Sequence, residues 1–556
     1  RVSYEPDGVT PKLTREMRST FTDPRLQQNS ENSLNTTLTG MLNYDKEIGD
    51  HTISVMAGVQ KETLNSQFFN AYRRYFISTA VDQLFAGGDD EKNNGGGEYN
   101  RARLGYFGRV GYNYKEKYIA EFLWRYDGSY IFPADSRFGF FPGVMVGYRI
   151  SEEEWFTKNV TWVDNLKLRA SWGQVGAEPY IGSSLAEFQY LSTYGFTTYI
   201  IDGRPVRGLN ETVLPNPSFT WEVQTSTNFG IELAFLRNRL TVEFDYFFNK
   251  RDKALFRQEG LIPGSAGISN ILPPVNYAKL NNKGWEFTVG YTGNYGDLRY
   301  SVSVNGGYAK NKIVLWNEPA GVPEWQRSTG KPFGSNGASY LVYLYDGVFA
   351  TQKDIDENTI DYSGVGAAAL RPGDMKFKDI NNDGKIDGDD QVRLDKTRDP
   401  RFTGGLNIQL QYRNFDLTLL FQGATGGLLF VRTESGDIGN YLKWDYDHRW
   451  TLDNPSSVYP RIASRDNTYY TGGAGGNNDY RLKSTNYIRF KNFEIGYNVP
   501  GKLLSKAGMS NLRVYANGIN LITWDKLGIF DPEAITGNGQ YYPQARVINL
   551  GVSLSF

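Results

Sequence analysis

Several chemistries are missing from this sequence. Cysteine is absent from its 556 residues, and histidine occurs only as His51 and His448. Without thiols the chain can form neither a disulfide framework nor a thiolate metal site, and two distant histidines supply zinc sites and histidine-based catalytic triads poorly. Nucleophile elbows, phosphate-binding loops and zinc motifs are also absent, so we expect no enzyme activity.

The sequence also lacks long apolar runs, and it carries almost no net charge. No stretch approaches the roughly 18 consecutive apolar residues of a transmembrane helix. The formal net charge is −1, so no nucleic-acid partner is expected. Aromatic residues and glycine are plentiful instead: the chain contains 38 tyrosines, 33 phenylalanines, 11 tryptophans and 61 glycines. The same texture of alternating runs and Gly-, Asn- and Asp-rich loops continues from Asn32 to Phe556, which indicates one large architecture rather than several domains.

Apolar and polar residues alternate along many segments, which is the pattern of β-strands. From Leu240 to Phe248 the even positions are apolar, while Thr241, Glu243 and Asp245 lie opposite. Such runs reach about 10 residues or more, enough for a tilted strand to cross a bilayer, whereas strands of a soluble sandwich have about 5–6 residues. Charged polar faces, with Tyr and Trp near the run ends, favour a transmembrane antiparallel β-barrel over a sandwich. We therefore interpret the carboxylate pair Glu243 and Asp245 as pore lining rather than as a glycosidase site.

Short and long connections alternate between these runs. Short turns are expected near 47–50, 115–117, 236–239, 295–297 and 413–414. Long loops are expected at roughly 65–102, 128–140, 178–218, 255–278, 311–401, 424–485 and 523–544. Outer-membrane barrels place short turns on the periplasmic side and long loops outside the cell.

About fifteen strands are expected, which is an odd number. They begin near residues 32, 51, 103, 118, 140, 164, 219, 239, 280, 297, 402, 415, 486, 511 and 545. Bacterial single-chain barrels use even numbers, so an odd number of strands should lie upstream of this chain. The last strand ends on Leu554 and Phe556, which we interpret as the carboxy-terminal signal recognised by barrel-assembly machinery; the alternative is an ordinary last strand of a soluble sheet.

Several segments resemble one family along nearly the whole chain. They are LGYFGRVGYNYKEKYIAEFLWRYDGS (104–129), SRFGFFPGVMVGYRISEEEWF (136–156), LKLRASWGQVGAE (166–178), LPNPSFTWEVQTSTNFGIEL (214–233), DYFFNKRDKAL (245–255), NKGWEF (282–287), PGDMKFKDINNDGKIDGDD (372–390), FTGGLNIQLQYRNFDLTLLFQGATGG (402–427), RWTLDNPSSVYPR (449–461), NYIRFKNFEIGYNVP (486–500) and NLRVYANGINLITW (511–524). Their order is similar to that of SusC-like (RagA-like) TonB-dependent outer-membrane transporters.

The resemblance implies a barrel of about 22 strands, an amino-terminal plug, a TonB box and a SusD-like lipoprotein lid. It also implies TonB-coupled import of a glycan or peptide across the bacterial outer membrane, with lipid around the barrel. Residues 1–556 match only the carboxy-terminal barrel portion; the plug and the TonB box, through which TonB would act, are expected outside this chain. The alternative function is a passive porin or a surface-binding barrel.

An aspartate-rich segment fits a calcium-loop template. Oxygen ligands fall at loop positions 1, 3, 5, 7, 9 and 12, supplied by Asp379, Asn381, Asp383, the Lys385 carbonyl, Asp387 and Asp390. Calcium takes six to eight hard oxygen ligands, so we expect a structural Ca²⁺ in this extracellular loop. Position 12 is Asp rather than Glu, and the preceding MKFK favours an extended flank over a helix. A solvated turn without an ion is the alternative.

Two aromatic-rich loop segments are candidate contacts for substrate or lid. They contain Phe188, Tyr190 and Tyr194 in one loop, and Tyr441, Trp444 and Tyr446 in another. Aromatic rings stack on sugars and pack against peptide side chains. Packing among the loops themselves is the simpler alternative.

Overall fold

The protein is described from a computed structural model. It describes residues 23–556 apart from 79, 258–263, 269–270, 336, 367–368, 433–441, 464–468, 470–472, 505–507, 535 and 539–540. No helix within these ranges is long and apolar enough to cross a membrane. The helices are short: α1 (Glu154–Asn159), α2 (Gln352–Asp356), α3 (Lys443–His448) and α4 (Gly501–Leu504).

One antiparallel sheet of fifteen strands dominates the described residues, and its strands follow one another in chain order. They are β1 (Arg25–Ile48), β2 (His51–Arg74), β3 (Asn93–Tyr114), β4 (Tyr118–Ser129), β5 (Phe138–Arg149), β6 (Val163–Ala177), β7 (Glu222–Phe235), β8 (Leu240–Arg257), β9 (Pro274–Tyr295), β10 (Leu298–Leu315), β11 (Phe402–Tyr412), β12 (Phe415–Thr425), β13 (Tyr487–Asn498), β14 (Asn511–Asp525) and β15 (Val547–Ser555). The expected all-β class and strand number are confirmed. Strands β1 and β15 are the edges, and the described strands do not close the sheet.

Six small antiparallel pairs lie in the long connections. They are Tyr180–Ile181 with Ser184–Leu185, Thr193–Ile201 with Arg204–Val213, Phe333–Gly334 with Gly337–Ala338, Leu341–Tyr343 with Gln391–Arg393, Tyr345–Val348 with Met375–Phe377, and Leu428–Phe430 with Leu482–Ser484. The extended conformation predicted for the flank of the aspartate loop is therefore confirmed by the strand Met375–Phe377.

The short turns are where the alternation predicts them. Between β3 and β4, Lys115 and Glu116 both have a φ of 54°, the left-handed conformation that tight hairpins need. Three strand starts differ from expectation: β1 begins at Arg25, β3 at Asn93 and β9 at Pro274. There the ladder continues past the apolar stretch, because backbone pairing does not require apolar side chains. The loop expected at 65–102 is correspondingly shorter.

The chain divides into two compact units. One contains the described parts of residues 1–42 together with 57–107 and 126–130, and the other contains 43–56, 108–125 and 131–556. In the first unit Arg103 of β3 contacts Glu62 of β2 at 3.3 Å. In the second, β6 to β15 pair continuously.

Strand register sorts the side chains into an apolar face and a polar face. Between β8 and β9, Phe244 lies opposite Phe287 on one face, while Asp245 lies opposite Glu286 on the other. The apolar side chains are exposed: Phe244 is 40% accessible and Ile495 41%. A soluble sandwich would bury that face, whereas a bilayer solvates it.

Arg489 of β13 fixes the connection between β14 and β15. Its side chain is 1% exposed, and Nη2 donates to both carboxylate oxygens of Asp531 at 2.7 and 2.8 Å. Glu533 lies 2.8 Å from Nη1. Leu527 and Ala534 of this connection form a small buried cluster with Leu429 and Val431, which lie much earlier in the chain. The sheet thus holds this long loop through one buried guanidinium.

Replacing Leu419 with arginine tests the assignment of the faces. Leu419 lies opposite Ile408 and Phe493 on the apolar face, so a charge there meets acyl chains and should destabilise the protein by about 2–4 kcal/mol. Thr418→Arg, on the polar face opposite Glu494, is the matched control and should change stability little. Denaturant unfolding in lipid vesicles measures both; equal losses would contradict the assignment.

Arg489→Met should release the β14–β15 connection. Removing one partner of a buried ion pair leaves carboxylates without their counter-charge and costs about 3–5 kcal/mol. Hydrogen exchange across residues 526–546 should accelerate. Arg413→Gln is the control, because Arg413 and Asp297 form an exposed pair at 2.7 Å worth at most about 1 kcal/mol. Unchanged protection of 526–546 in the methionine variant would refute the anchoring role.

Candidate functional site: the polar face and the extracellular loops

Charged residues on the polar face form cross-strand networks. Arg169 lies 2.6 Å from Asp245 and 3.3 Å from Glu232, and Lys167 lies 3.1 Å from the same glutamate. Gly230 lies next to the side chains of Arg169 and Asp245. A Cβ at this position would lie 2.5 Å from Arg169 Nε, so only glycine leaves room for the ion pair. The network joins β6, β7 and β8, and Asp245 is a member of this ion-pair cluster.

A second network lies further along the sheet. Arg513 of β14 contacts Asp416 of β12 and, at 2.7 Å, Glu494 of β13. Opposite charges thus neutralise each other across strands on the face that the sequence predicts to line the pore. The arrangement offers a polar surface to water or solute.

The connections 316–401 and 426–486 pack into one extracellular loop body with its own core. Its buried residues are Tyr343, Phe349, Tyr362, Val365, Met375, Phe377, Ile386, Ala463, Tyr469 and Ala474. Because these residues come from both connections, neither connection reaches this burial alone. The loop body is therefore a packed element rather than two independent loops.

Polar contacts hold the two connections of the loop body together. Arg461 Nε donates to buried Asp374 at 2.7 Å, and Trp450 Nε1 donates to the Ala350 carbonyl at 3.0 Å. Within the first connection, the Phe377 amide donates to the Tyr362 hydroxyl at 3.1 Å. Burial raises the pKa of Tyr362 to about 12, which keeps this phenol neutral.

The aspartate loop is folded around backbone amide groups. Asp390 is fully buried and accepts from the amides of Ile380 at 2.7 Å and Asp387 at 2.9 Å. Asp379 Oδ2 accepts from Gly384, whose φ is 81°. Burial, with nearby Asp379, raises the pKa of Asp390.

The other expected ligands of this loop follow the same pattern. Asn381 accepts from the Asp383 amide at 3.1 Å, Asp383 from the Lys385 amide at 2.9 Å, and Asp387 from the Asp389 amide at 2.9 Å. Asp379 Oδ1 is buried without a hydrogen-bond partner in the described structure. Across the described ranges, no three Asp, Glu, His or Cys side chains form a group that could hold a metal ion.

The aromatic candidates fall into two separate places. Phe188 and Tyr190 pack edge-to-face with ring centroids 6.4 Å apart, and Tyr194 is 63% exposed on the Thr193–Ile201 strand. Trp444 stacks on His448 at 4.6 Å, while Arg449 lies 3.6 Å from the ring centroid of exposed Tyr446. Tyr441 lies outside the described residues.

The sequence predicts the placement of the carboxy-terminal residues but not the anchor of the β14–β15 connection. Leu554 lies opposite Leu512, and Phe556 is 85% exposed just after β15, so both keep the apolar placement that alternation predicts. Their role as an assembly signal stays a prediction. Arg489 was not predicted, because its partner Asp531 lies 42 residues away and no local spacing marks the pair.

Known proteins share this architecture. A family model described as TonB dependent receptor-like, beta-barrel, matches residues 3–521. TonB-dependent receptor P3 of Formosa agariphila is 28% identical over 94% of this chain and 52% of its own length. TonB-dependent receptor SusC of Bacteroides thetaiotaomicron is 27% identical over 82% of this chain and 44% of its own. The chain thus spans about half the length of the curated relatives it matches.

A solved structure agrees in fold. The RagAB peptide transporter superposes with a TM-score of 0.76 at 21% identity, covering 97% of this chain and 57% of that chain. These findings confirm the resemblance to SusC-like TonB-dependent transporters and the location in the outer membrane. The chain belongs to the TonB dependent receptor-like β-barrel family.

Proposed function

We propose that this chain forms the greater part of the barrel wall and the extracellular loops of a SusC-like nutrient importer. The match to the receptor β-barrel family over residues 3–521 carries this proposal. The apolar face meets lipid, the ion-paired polar face lines the solute path, and the loop body covers its outer end. The family comprises transporters, and we propose no covalent chemistry for the chain.

The remaining parts of the transporter are proposed to lie outside residues 1–556. The matched relatives are about twice as long, since the chain covers 52% of receptor P3. Bare edges β1 and β15 would leave backbone groups unpaired in lipid at several kcal/mol each, so we propose that further strands close the barrel. A plug and a TonB box would supply gating and energy coupling.

A SusD-like lipoprotein is the proposed partner, seated on the loop body. Exposed aromatic side chains such as Tyr194 and Tyr446 offer contact area there, for the lid or for substrate. The substrate is proposed to be a glycan or a peptide. The RagAB structure is of a peptide transporter, and that supports the peptide alternative through its fold.

Uptake by intact cells tests the function. Deleting the gene should abolish uptake of labelled oligosaccharides or oligopeptides, and collapsing the proton-motive force should do the same in wild-type cells. Complementation with the full-length gene should restore uptake. Uptake that survives the collapsed proton-motive force, together with steady conductance of the purified protein in planar bilayers, would instead establish a passive porin.

We further propose a structural Ca²⁺ in the aspartate loop, whose side chains accept from backbone amides in the described structure and would turn towards the ion on binding. Asp379, Asn381, Asp383, Asp387 and Asp390, with the Lys385 carbonyl, offer the hard oxygen ligands that calcium prefers. The unpartnered buried oxygen of Asp379 supports the proposal, because buried carboxylate oxygens are otherwise hydrogen-bonded. The ion would stiffen the loop body around Ile386.

Terbium luminescence tests the calcium proposal, because Trp325 donates its indole N–H to the Asp389 carbonyl at 2.8 Å and can sensitise a bound lanthanide. The full-length protein should show terbium emission that Ca²⁺ displaces. Asp379→Asn should remove it, whereas Asp89→Asn, at an exposed site outside the loop body, should not. Emission that persists in Asp379→Asn, or resists Ca²⁺, would exclude the site.

A further inference from the structure

An aromatic row crosses the apolar face at its extracellular end. Register places Tyr246, Trp285, Tyr308 and Phe402 side by side on β8, β9, β10 and β11. The rings of Trp285 and Tyr308 are stacked with centroids 6.0 Å apart. Aromatic residues concentrate at the level of lipid headgroups, so this row marks the outer boundary of the hydrocarbon.

Four lysines lie just above the aromatic row on the same outward face. Two residues further along each strand, Lys283 lies directly opposite Lys310. In the next row Asn281 lies between Lys250 and Lys312. Neighbouring strands are about 4.8 Å apart, so these four residues form one compact lysine patch at headgroup height.

The charge of the lysine patch is poorly compensated. Lys310 pairs with Asp395 at 2.8 Å. Lys250, Lys283 and Lys312 are exposed and form no ion pair with any described residue. Like charges directly opposite each other destabilise a sheet. The polar face of the sheet behaves differently, since Arg169 of β6 and Asp245 of β8 neutralise each other there. The patch therefore suits an anion that arrives from outside the chain.

An apolar groove begins beside the patch. It has a volume of about 490 Å³, and its lining includes Phe402, Gly423, Ile488 and Trp524 together with the charged residues Asp525 and Lys526. Gly423 lies opposite Gly404, which lies opposite Gly306, so these three positions add no side chain to the outward face. The rings of Phe287 and Phe402 lie over Gly306. Phe402 belongs both to the groove and to the aromatic row. Cationic and apolar surfaces thus adjoin, as an anionic amphiphile requires.

We propose that the lysine patch binds the phosphate groups of a phosphorylated glycolipid in the outer leaflet, with an acyl chain in the groove. The Asn281 amide and the Thr225 hydroxyl, which lie on either side of Lys250, can hydrogen-bond its sugar. The inference rests on the membrane orientation used in the proposed function. It concerns the outer wall and no residue of the solute path.

Lipid titration of the purified full-length transporter, followed by native mass spectrometry, tests this proposal. Diphosphorylated lipid A should bind, and its dephosphorylated form should bind much more weakly. Lys283→Gln with Lys312→Gln should weaken binding of the phosphorylated form about thirtyfold, since a basic residue near an anionic headgroup contributes about 1 kcal/mol. Lys283→Arg with Lys312→Arg keeps the charge and should retain binding.

Controls separate lipid binding from folding and from import. Lys115→Gln with Lys158→Gln changes two exposed lysines outside the patch, at the short-turn end of the sheet, and should bind like wild type. Nutrient uptake by the patch variant should also be unchanged, so loss of uptake and loss of lipid binding are distinguishable. Equal binding of the dephosphorylated lipid, or undiminished binding by the glutamine variant, would overturn the proposal.

Discussion

Backbone hydrogen bonding in hydrocarbon is the constraint on which this structure depends. Acyl chains offer no hydrogen-bond partner, so each peptide group at that depth must pair within the protein. The chain meets this with ladders such as that between β8 and β9, which runs from Leu240 to Arg257. A ladder fixes a side-chain period of two, and this period produces one lipid-facing surface and one water-facing surface from the same residues.

The two faces handle charge by opposite means. On the polar face Arg513 is shared between Asp416 and Glu494, so opposite charges pair across strands. On the apolar face cations occur above the aromatic row, where water and headgroups can solvate them. Charge position along a strand is therefore set by depth.

Sequence alternation predicted the strand number, the short turns and the face of Phe244, because these follow from local period and chain reversal. It placed the starts of β1, β3 and β9 too late, since polar ladders beyond the apolar band look like loops. It could not find Arg489 with Asp531, or the common core of Tyr343 and Tyr469, because contacts over such separations leave no local pattern. The aspartate loop was visible for the opposite reason: all its oxygen groups lie within one short segment.

The loop body shows why long connections can stay ordered above a sheet. Holding a long connection in one conformation costs conformational entropy, and the closure term rises only slowly with its length. The two connections share a core, to which one contributes Phe349 and the other Ala463. The burial in this core offsets the entropy cost, and neither connection reaches that burial alone. The β14–β15 connection lies outside the loop body, and Arg489 anchors it to the sheet instead. Because the loop body carries its own core, its exposed surface can vary without changing the register beneath it. The part of the molecule that we propose to meet substrate and partner is in this way separated from the part that must satisfy the membrane.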